Sequence, residues 1–272
     1  MLYVRNKLYS HLSLESGIKY YNRDIRKSEC KFVKSFKELV EAMAKISYNN
    51  PDHTLFYRGQ DADYQDEYQN SSLYPRIYRT IHNKSLLRKI SDKRFNDLEK
   101  AGQLLVEKLV EADTRKMKKF KELKWAILQH YEVCRTPLLD VTNSLRVACS
   151  FADLNNSNEK GYVFVFGVPH INGSITYSSE EELLNIRLQS ICPPIALRPY
   201  YQDGYLLGTF PHQEKKKSSL NFAKRLIAKF EFSRKHFWDK DFTPIPKRAL
   251  YPDQNDKVFN ICQSIKSEIP SE

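Results

Sequence analysis

Arg58 closes a short apolar run, Leu55-Phe56-Tyr57, and is followed by Gly59 and Gln60. An arginine at the end of a strand can offer its planar fork to a phosphate or a carboxylate. Gly59 lets a ligand, or another stretch of backbone, come close. A second polar group lies within Leu128–Ala152, LQHYEVCRTPLLDVTNSLRVACSFA. His130 stands near its start, and Asp140, Thr142 and Ser144 fall between two helix-like runs. A helix N-terminus binds anions through free backbone N–H groups, and Asp140 to Ser144 leads into such a start. The same side chains can serve as ordinary caps, and Arg58 can equally pair with a carboxylate such as Asp140. Buried polar groups are costly unless paired, so the two stretches predict either a lined pocket or an internal network.

Other chemistry is disfavoured by what the chain lacks. The seven histidines form no HExxH or paired-ligand spacing, so no metal is expected. There is no phosphate loop of the GxGxxG or GxxxxGK type and no GxSxG elbow, which speaks against common nucleotide hydrolases and serine hydrolases. The five cysteines are odd in number and lack CxxC spacing, which fits a reducing, cytoplasmic setting better than a disulfide framework. The longest apolar run, Tyr162–Phe166, is too short to span a bilayer, and no membrane association is expected. A net charge of +11 favours anionic partners, although lysines on a solvated face give the same sum.

These residues need elements to position them. Only 8 glycines stand against 17 tyrosines and 15 phenylalanines, so packed elements are favoured over flexible linkers. Ser35 and Glu38 have capping-box spacing ahead of a helical stripe from Phe36 that Asn49–Asp52 ends. Thr54–Arg58 reads as a strand, Asp61–Gln69 as a loop, and Ser72–Tyr78 as extended or irregular. Helices are expected over Asp92–Asp113 and along Phe120, Leu123, Ile127 and Tyr131. Leu138–Val141 reads as a short turn or strand, and Ser144 as the cap of a helix through Ala152. Gly161–Val168 reads as a buried strand, Ser179–Gln189 as a helix, Ile195–Arg198 as a strand, and Gln202–Gly204 as a turn. Lys224–Phe232 favours a strand, and Asp256–Ile265 closes the chain as a helix. The sum is one α+β domain over 35–272, with a helical insertion at about 80–135, preceded by an extension over 1–34.

In order, the blocks FYRGQ, LYPRIYR, QHYEVCRTPLLDVTNSLRVACSFA, RPYYQDGYLLGTF and ALYPDQNDKVF resemble the FRG-domain family, named for its Phe/Tyr-Arg-Gly motif. They span roughly Leu55 to Phe259. A weaker similarity to ADP-ribosyltransferases follows. It implies a mixed, ADP-ribosyltransferase-like β-sheet core, with NAD as the candidate cofactor. Arg58 then matches the arginine that holds a phosphate or ribose of NAD. Thr142-Asn143-Ser144 matches the polar turn that shapes the nicotinamide pocket, and Cys149-Ser150-Phe151-Ala152 the helix that follows. Where those enzymes place a glutamate on a later strand, this chain reads Tyr200-Tyr201-Gln202-Asp203-Gly204. Glu132 stands where the FRG family usually has glycine, and could supply a carboxylate.

Arg58, Gly59, His130, Asp140, Thr142 and Ser144 are accordingly the expected nucleotide-binding residues, and Gln202 and Glu132 the catalytic candidates. The expected function is binding of NAD or a related nucleotide, with cleavage or transfer of ADP-ribose to a nucleic acid or protein acceptor. Such an enzyme would suit a role in bacterial defence. The alternative is a non-catalytic binding module, with nucleic acid as its leading partner.

Overall fold

The computed structural model describes residues 4–79, 87–109, 115–154, 156–210 and 220–269. Its strands are β1 (Lys31–Val33), β2 (Thr54–Gln60), β3 (Leu139–Thr142), β4 (Lys160–Val168), β5 (Ile175–Ser178), β6 (Leu183–Arg187), β7 (Gly204–Thr209) and β8 (Leu226–Ser233). They form one mixed sheet in the order β1-β8-β4-β2-β3-β7-β6-β5. Only β1 and β8 run parallel; the other neighbours are antiparallel. Neighbouring strands share three to seven register pairs, except β2 and β3, which share one, Tyr57 opposite Thr142. The sheet is therefore two four-stranded halves that meet at a narrow seam.

The helices are α1 (Ser13–Ser16), α2 (Asn22–Lys27), α3 (Phe36–Tyr48), α4 (Leu87–Lys108), α5 (Arg115–Lys119), α6 (Lys121–His130), α7 (Leu145–Asp153), α8 (Leu188–Ile191), α9 (Arg198–Tyr201), α10 (Lys247–Leu250) and α11 (Lys257–Glu268). Local chemistry explains several of their starts. The Ser35 hydroxyl accepts from Glu38 N at 3.2 Å, and the Glu38 carboxylate accepts from Lys34 N at 2.7 Å. Ser144 caps α7 by accepting from Val147 N, and Asp256 caps α11 by accepting from Val258 N and Phe259 N. In β4, Val163, Phe164, Val165 and Phe166 are all buried, so this strand is covered on both faces. Each such side chain contributes roughly 1.5–3 kcal/mol through burial.

Between β2 and β3 lie α4, α5 and α6. Their apolar side chains Leu98, Leu105, Leu123 and Ile127 share a core with Leu184 and Ile186 of β6, Leu206 of β7 and Val258, Cys262 and Ile265 of α11. The helix expected from Asp92 to Asp113 runs instead from Leu87 to Lys108, and residues 110–114 lie outside the described residues.

Two expected elements are replaced. Ser179–Gln189 is not a helix but the turn and second strand of the β5–β6 hairpin, with α8 beginning at Leu188. Leu183, Leu184 and Ile186 are buried, and pairing with β7 outweighs the helical preference of Glu180–Glu182. Glu182 instead takes a left-handed φ of 48° in the turn. Ile195–Arg198 is not a strand, because the Asp256 carboxylate accepts from both Leu197 N and Arg198 N at 2.9 Å and nucleates α9. Part of the stretch expected as an N-terminal extension belongs to the sheet. β1 lies within it, and Asn22 Nδ2 donates to Ala223 O at 3.1 Å and Leu226 O at 2.7 Å. No helix among the described residues is long and apolar enough to cross a membrane.

Candidate functional site

Arg58 follows Tyr57, the β2 residue at the seam. A Cβ on the next residue, Gly59, would lie 1.8 Å from the Ala148 carbonyl oxygen and 2.7 Å from Ala152 N. The glycine is thus required by the backbone of α7, which crosses directly on β2. Successive strand residues face opposite ways, so Arg58 turns to the other side from α7. Its Nη1 donates to the Asp140 carbonyl at 2.6 Å, across the seam. Its Nε is enclosed and has no hydrogen-bond partner among the described residues. Burial lowers the Arg58 pKa, and the Asp140 charge opposes that shift.

The Asp140 carboxylate has a different partner. It accepts from Gln129 Nε2 at 2.5 Å, and Gln129 Oε1 accepts from Thr136 Oγ1 at 2.5 Å. Burial raises the Asp140 pKa, while Arg58 and the Gln129 bond pull it down. A polar chain therefore links β2, β3 and α6, with the arginine bonded to a neutral carbonyl.

A cleft of about 1610 Å³ opens beside the seam, with Tyr57, Arg58, Arg79, Asp140, Thr142 and Tyr251 on its walls. Arg79 sits close enough to Arg58 to feel it: its pKa falls to about 10, through burial first and the Arg58 charge second. The loop after β2 carries Asp61, Tyr64, Glu67 and Tyr68 to the same cleft. Buried Lys229 holds this loop, donating to Asp63 Oδ2 at 3.0 Å and Ser71 Oγ at 2.7 Å.

His130 ends α6 and lies buried in the cleft floor. No hydrogen bond among the described residues joins its ring to Arg58 or Asp140, so the three do not form one network. Its pKa falls to about 3, through burial and then the charge of Arg198, opposed by a bond to the Arg198 backbone. Thr142 Oγ1 donates to Gln202 O at 2.8 Å and accepts from Ser144 N at 3.1 Å. Thr142 and Ser144 are thus occupied in shaping the turn into α7.

Gln202 follows α9 rather than lying on a strand, and its Nε2 donates to Leu250 O at 2.8 Å. Its neighbour Asp203 accepts from Gln189 Nε2 at 3.3 Å. Glu132 lines the cleft and follows α6 with φ at 56°, a left-handed conformation that suits glycine. Among the described residues, no group of three or more His, Cys, Asp or Glu could hold a metal ion.

Residues 53–161 match the family model of the FRG domain. The chain carries an FRG domain. The match begins just before β2 and ends as β4 begins, so it takes in the Arg58–Gly59 pair, the helical insertion, β3 and α7. No curated protein and no solved structure matches the chain.

Outside the matched span, β1 and β4 to β8 complete the sheet on both sides of the FRG core. Arg198 fastens that remainder to it. The guanidinium is buried against the rings of Tyr131, Tyr251 and Phe259, 5.0, 4.8 and 5.4 Å from their centres. It donates to His130 O at 2.9 Å and to Asp253 Oδ1 at 2.6 Å. Gln129, Arg79 and Tyr251 line the cleft, and Arg198 packs against Tyr251, yet none of the four was singled out from the sequence. All four fall within the motif blocks, but nothing in the blocks told their partners.

Proposed function

We propose that the cleft binds NAD or a related nucleotide, with Arg58 on a phosphate. The observation that carries this is the state of the Arg58 guanidinium. Among the described residues its one hydrogen bond goes to a neutral carbonyl, and its Nε is unpaired within the wall. Positive charge therefore remains for an anion, and Arg79 adds a second charge nearby. Tyr57, Phe151 and Tyr251 offer ring faces against which a base could stack, and the cleft is ample for a dinucleotide. The order of a strand arginine, the Thr142–Ser144 turn and α7 supports the ADP-ribosyltransferase-like reading of the sheet.

Transfer chemistry would break the bond between the ribose and nicotinamide, with the electron pair leaving on nicotinamide. A carboxylate would stabilise the charge left on the ribose. Gln202 is neutral and its amide is engaged with Leu250, so it serves as a wall residue in this reading. Asp140 is bonded to Gln129; of the other carboxylates on the cleft wall, Asp61, Asp66, Glu67 and Glu132, the one to test first is Glu132, which the sequence already marked as a candidate.

The experiment is calorimetric titration of NAD beside an assay of nicotinamide release, for wild type and Arg58→Ala. Wild type should bind, and Arg58→Ala should lose binding while keeping its melting temperature. Equal binding by a folded Arg58→Ala protein would refute the reading. Release by wild type would make this an NAD-consuming enzyme, and binding without release a nucleotide-binding module. The +11 charge supports nucleic acid as a second partner, and a steep fall of affinity with salt is its signature. The acidic Asp61 and Glu67 beside the cleft oppose a polyanion at this site.

A further inference from the structure

The loop after β2 is pinned from outside the family span. Lys229 of β8 is fully buried, and its three ammonium donors meet three acceptors: Asp63 Oδ2 at 3.0 Å, Ser71 Oγ at 2.7 Å and Arg26 O at 3.3 Å. The acceptors are tied to one another. Ser71 Oγ donates to Asp63 Oδ2 at 3.0 Å, and Ser71 N donates to Arg26 O at 3.1 Å. Asp63 and Ser71 stand near the two ends of the loop, within residues 53–161, whereas Arg26 on α2 and Lys229 lie outside that span.

Beyond this clasp the loop folds on itself. Ser72 N donates to Tyr64 O at 2.7 Å, and Asp66 Oδ1 accepts from Tyr68 N and Asn70 N, both at 3.0 Å. Tyr64, Glu67 and Tyr68 are thereby carried to the cleft. Across the sheet, Arg58 pairs with Phe164, and Phe164 with Lys229. Residues directly opposite on neighbouring strands share a face, so the clasp and the Arg58 side chain lie on the same side of the sheet, with Phe164 between them.

A buried ion pair adds little net stability over neutral groups of the same shape, and its better use is to fix one geometry. The geometry fixed here is that of a cleft wall. We infer that Lys229 is a positioning residue: with Asp63, Ser71 and the Arg26 carbonyl, it locks loop 61–72 as the wall that faces a ligand held at Arg58. The chain outside the FRG span thus sets the shape of the FRG cleft. The ligand half of this inference rests on the nucleotide reading; the locking of the loop does not.

The test compares Lys229→Met/Asp63→Asn with wild type by amide hydrogen exchange, thermal melting and calorimetric titration of NAD. Removing both charges leaves no unpaired ion in the clasp, so the protein should fold and melt close to wild type. Amides of residues 61–72 should exchange at least about tenfold faster, while those of β4 and β8 keep their protection. NAD should bind at least about tenfold more weakly, the scale of the ring contacts that Tyr64 and Tyr68 would supply. The control is Arg225→Met/Glu181→Gln, which removes another ion pair, 2.6 Å long, neither of whose residues lines the cleft. It should change neither the loop exchange nor NAD affinity. Unchanged exchange of 61–72 in the folded double variant overturns the inference, as does faster exchange with NAD affinity intact. The same effects in the control would mark general loosening and overturn it too. If wild type binds no NAD, the nucleotide reading falls, and the exchange of 61–72 alone decides whether Lys229 positions the loop. Should the double variant not fold, Ser71→Ala takes one acceptor from Lys229 and leaves the charge pair. Faster exchange confined to 61–72 in that variant supports the inference, and unchanged exchange overturns it.

Discussion

Replacing Gly59 with alanine separates two reasons for the glycine of the Phe/Tyr-Arg-Gly motif. If a ligand needs the space, Gly59→Ala should weaken binding and leave the fold alone. The structure points to the helix instead, since the new Cβ would meet the Ala148 carbonyl at 1.8 Å. Real Cβ atoms essentially never come within 3.0 Å, so α7 or β2 must give by more than an ångström. Both are main chain, and neither can rotate away as a side chain would. Val147, Ala148, Cys149 and Ala152 are buried on that helix, and moving it loosens their contacts. Overpacking typically costs about 1–3 kcal/mol, and a radial gap of about 0.5–1 Å forfeits a quarter to a half of each contact. An expected loss of about 3 kcal/mol corresponds to a fall in melting temperature of roughly 6–12 °C for a chain of this size. Thermal and urea unfolding would measure it, with Gly173→Ala as the control, because a Cβ there meets only Ile175 O at 3.8 Å. If Gly59→Ala melts with wild type, α7 does not seat on β2 as described, and the packing argument is wrong.

Glu132→Gly should raise stability by about 0.5–1 kcal/mol, because relief of a left-handed conformation exceeds the added freedom of the unfolded chain. A fall in the urea midpoint would show that Glu132 makes compensating contacts. Asp256 accepts from Tyr131 Oη, Leu197 N, Arg198 N, Val258 N and Phe259 N while wholly buried. Asp256→Ala should therefore cost about 3–5 kcal/mol, and an unfolding midpoint close to wild type would contradict that hub. Stability should also fall with acid. His130 and His11 are pushed down to about 3 and about 4, mainly by burial, while unfolded histidine titrates near 6.5. The unfolded chain then binds more protons below that value, so the stability these groups confer is full above pH 6.5 and is lost progressively toward pH 4. Each histidine can contribute a slope of up to about 1.4 kcal/mol per pH unit, and Asp140, raised by burial, works in the opposite sense. Urea midpoints at pH 7.5, 6 and 5 should decline in wild type, and a flat profile would show that neither ring is buried neutral.

Several features were legible in the sequence because they depend on neighbours along the chain. Ser35, Ser144 and Asp256 announce the starts of their helices, since a cap needs only the next two or three backbone N–H groups. The unbroken apolar run of β4 marks a strand covered on both faces, and the first three motif blocks, as far as Ala152, fall within the span that matches the FRG domain, while the two blocks from Arg198 onward lie outside it. Arg58 was recognisable as a side chain with chemistry to offer.

Its setting was not. Nothing local tells that Leu183–Ile186 will pair with β7 instead of continuing the helical preference of three glutamates. Nothing local tells that Arg198, far along the chain, will sit among Tyr131, Tyr251 and Phe259. The glycine of the motif could be read as room for a ligand or for backbone, and only the passage of α7 over β2 decides between them. Likewise Gln202 and Asp203, adjacent in sequence, are committed to Leu250 and Gln189 on different sides of the turn. The sequence determined which groups the protein could use: an arginine, short polar turns, and helices with their caps in place. The tertiary structure decided which of those groups are committed, because long-range contacts consume the hydrogen-bonding capacity of Asp140, Thr142 and Gln202 and leave Arg58, in the cleft wall, with a single bond to a neutral carbonyl among the described residues.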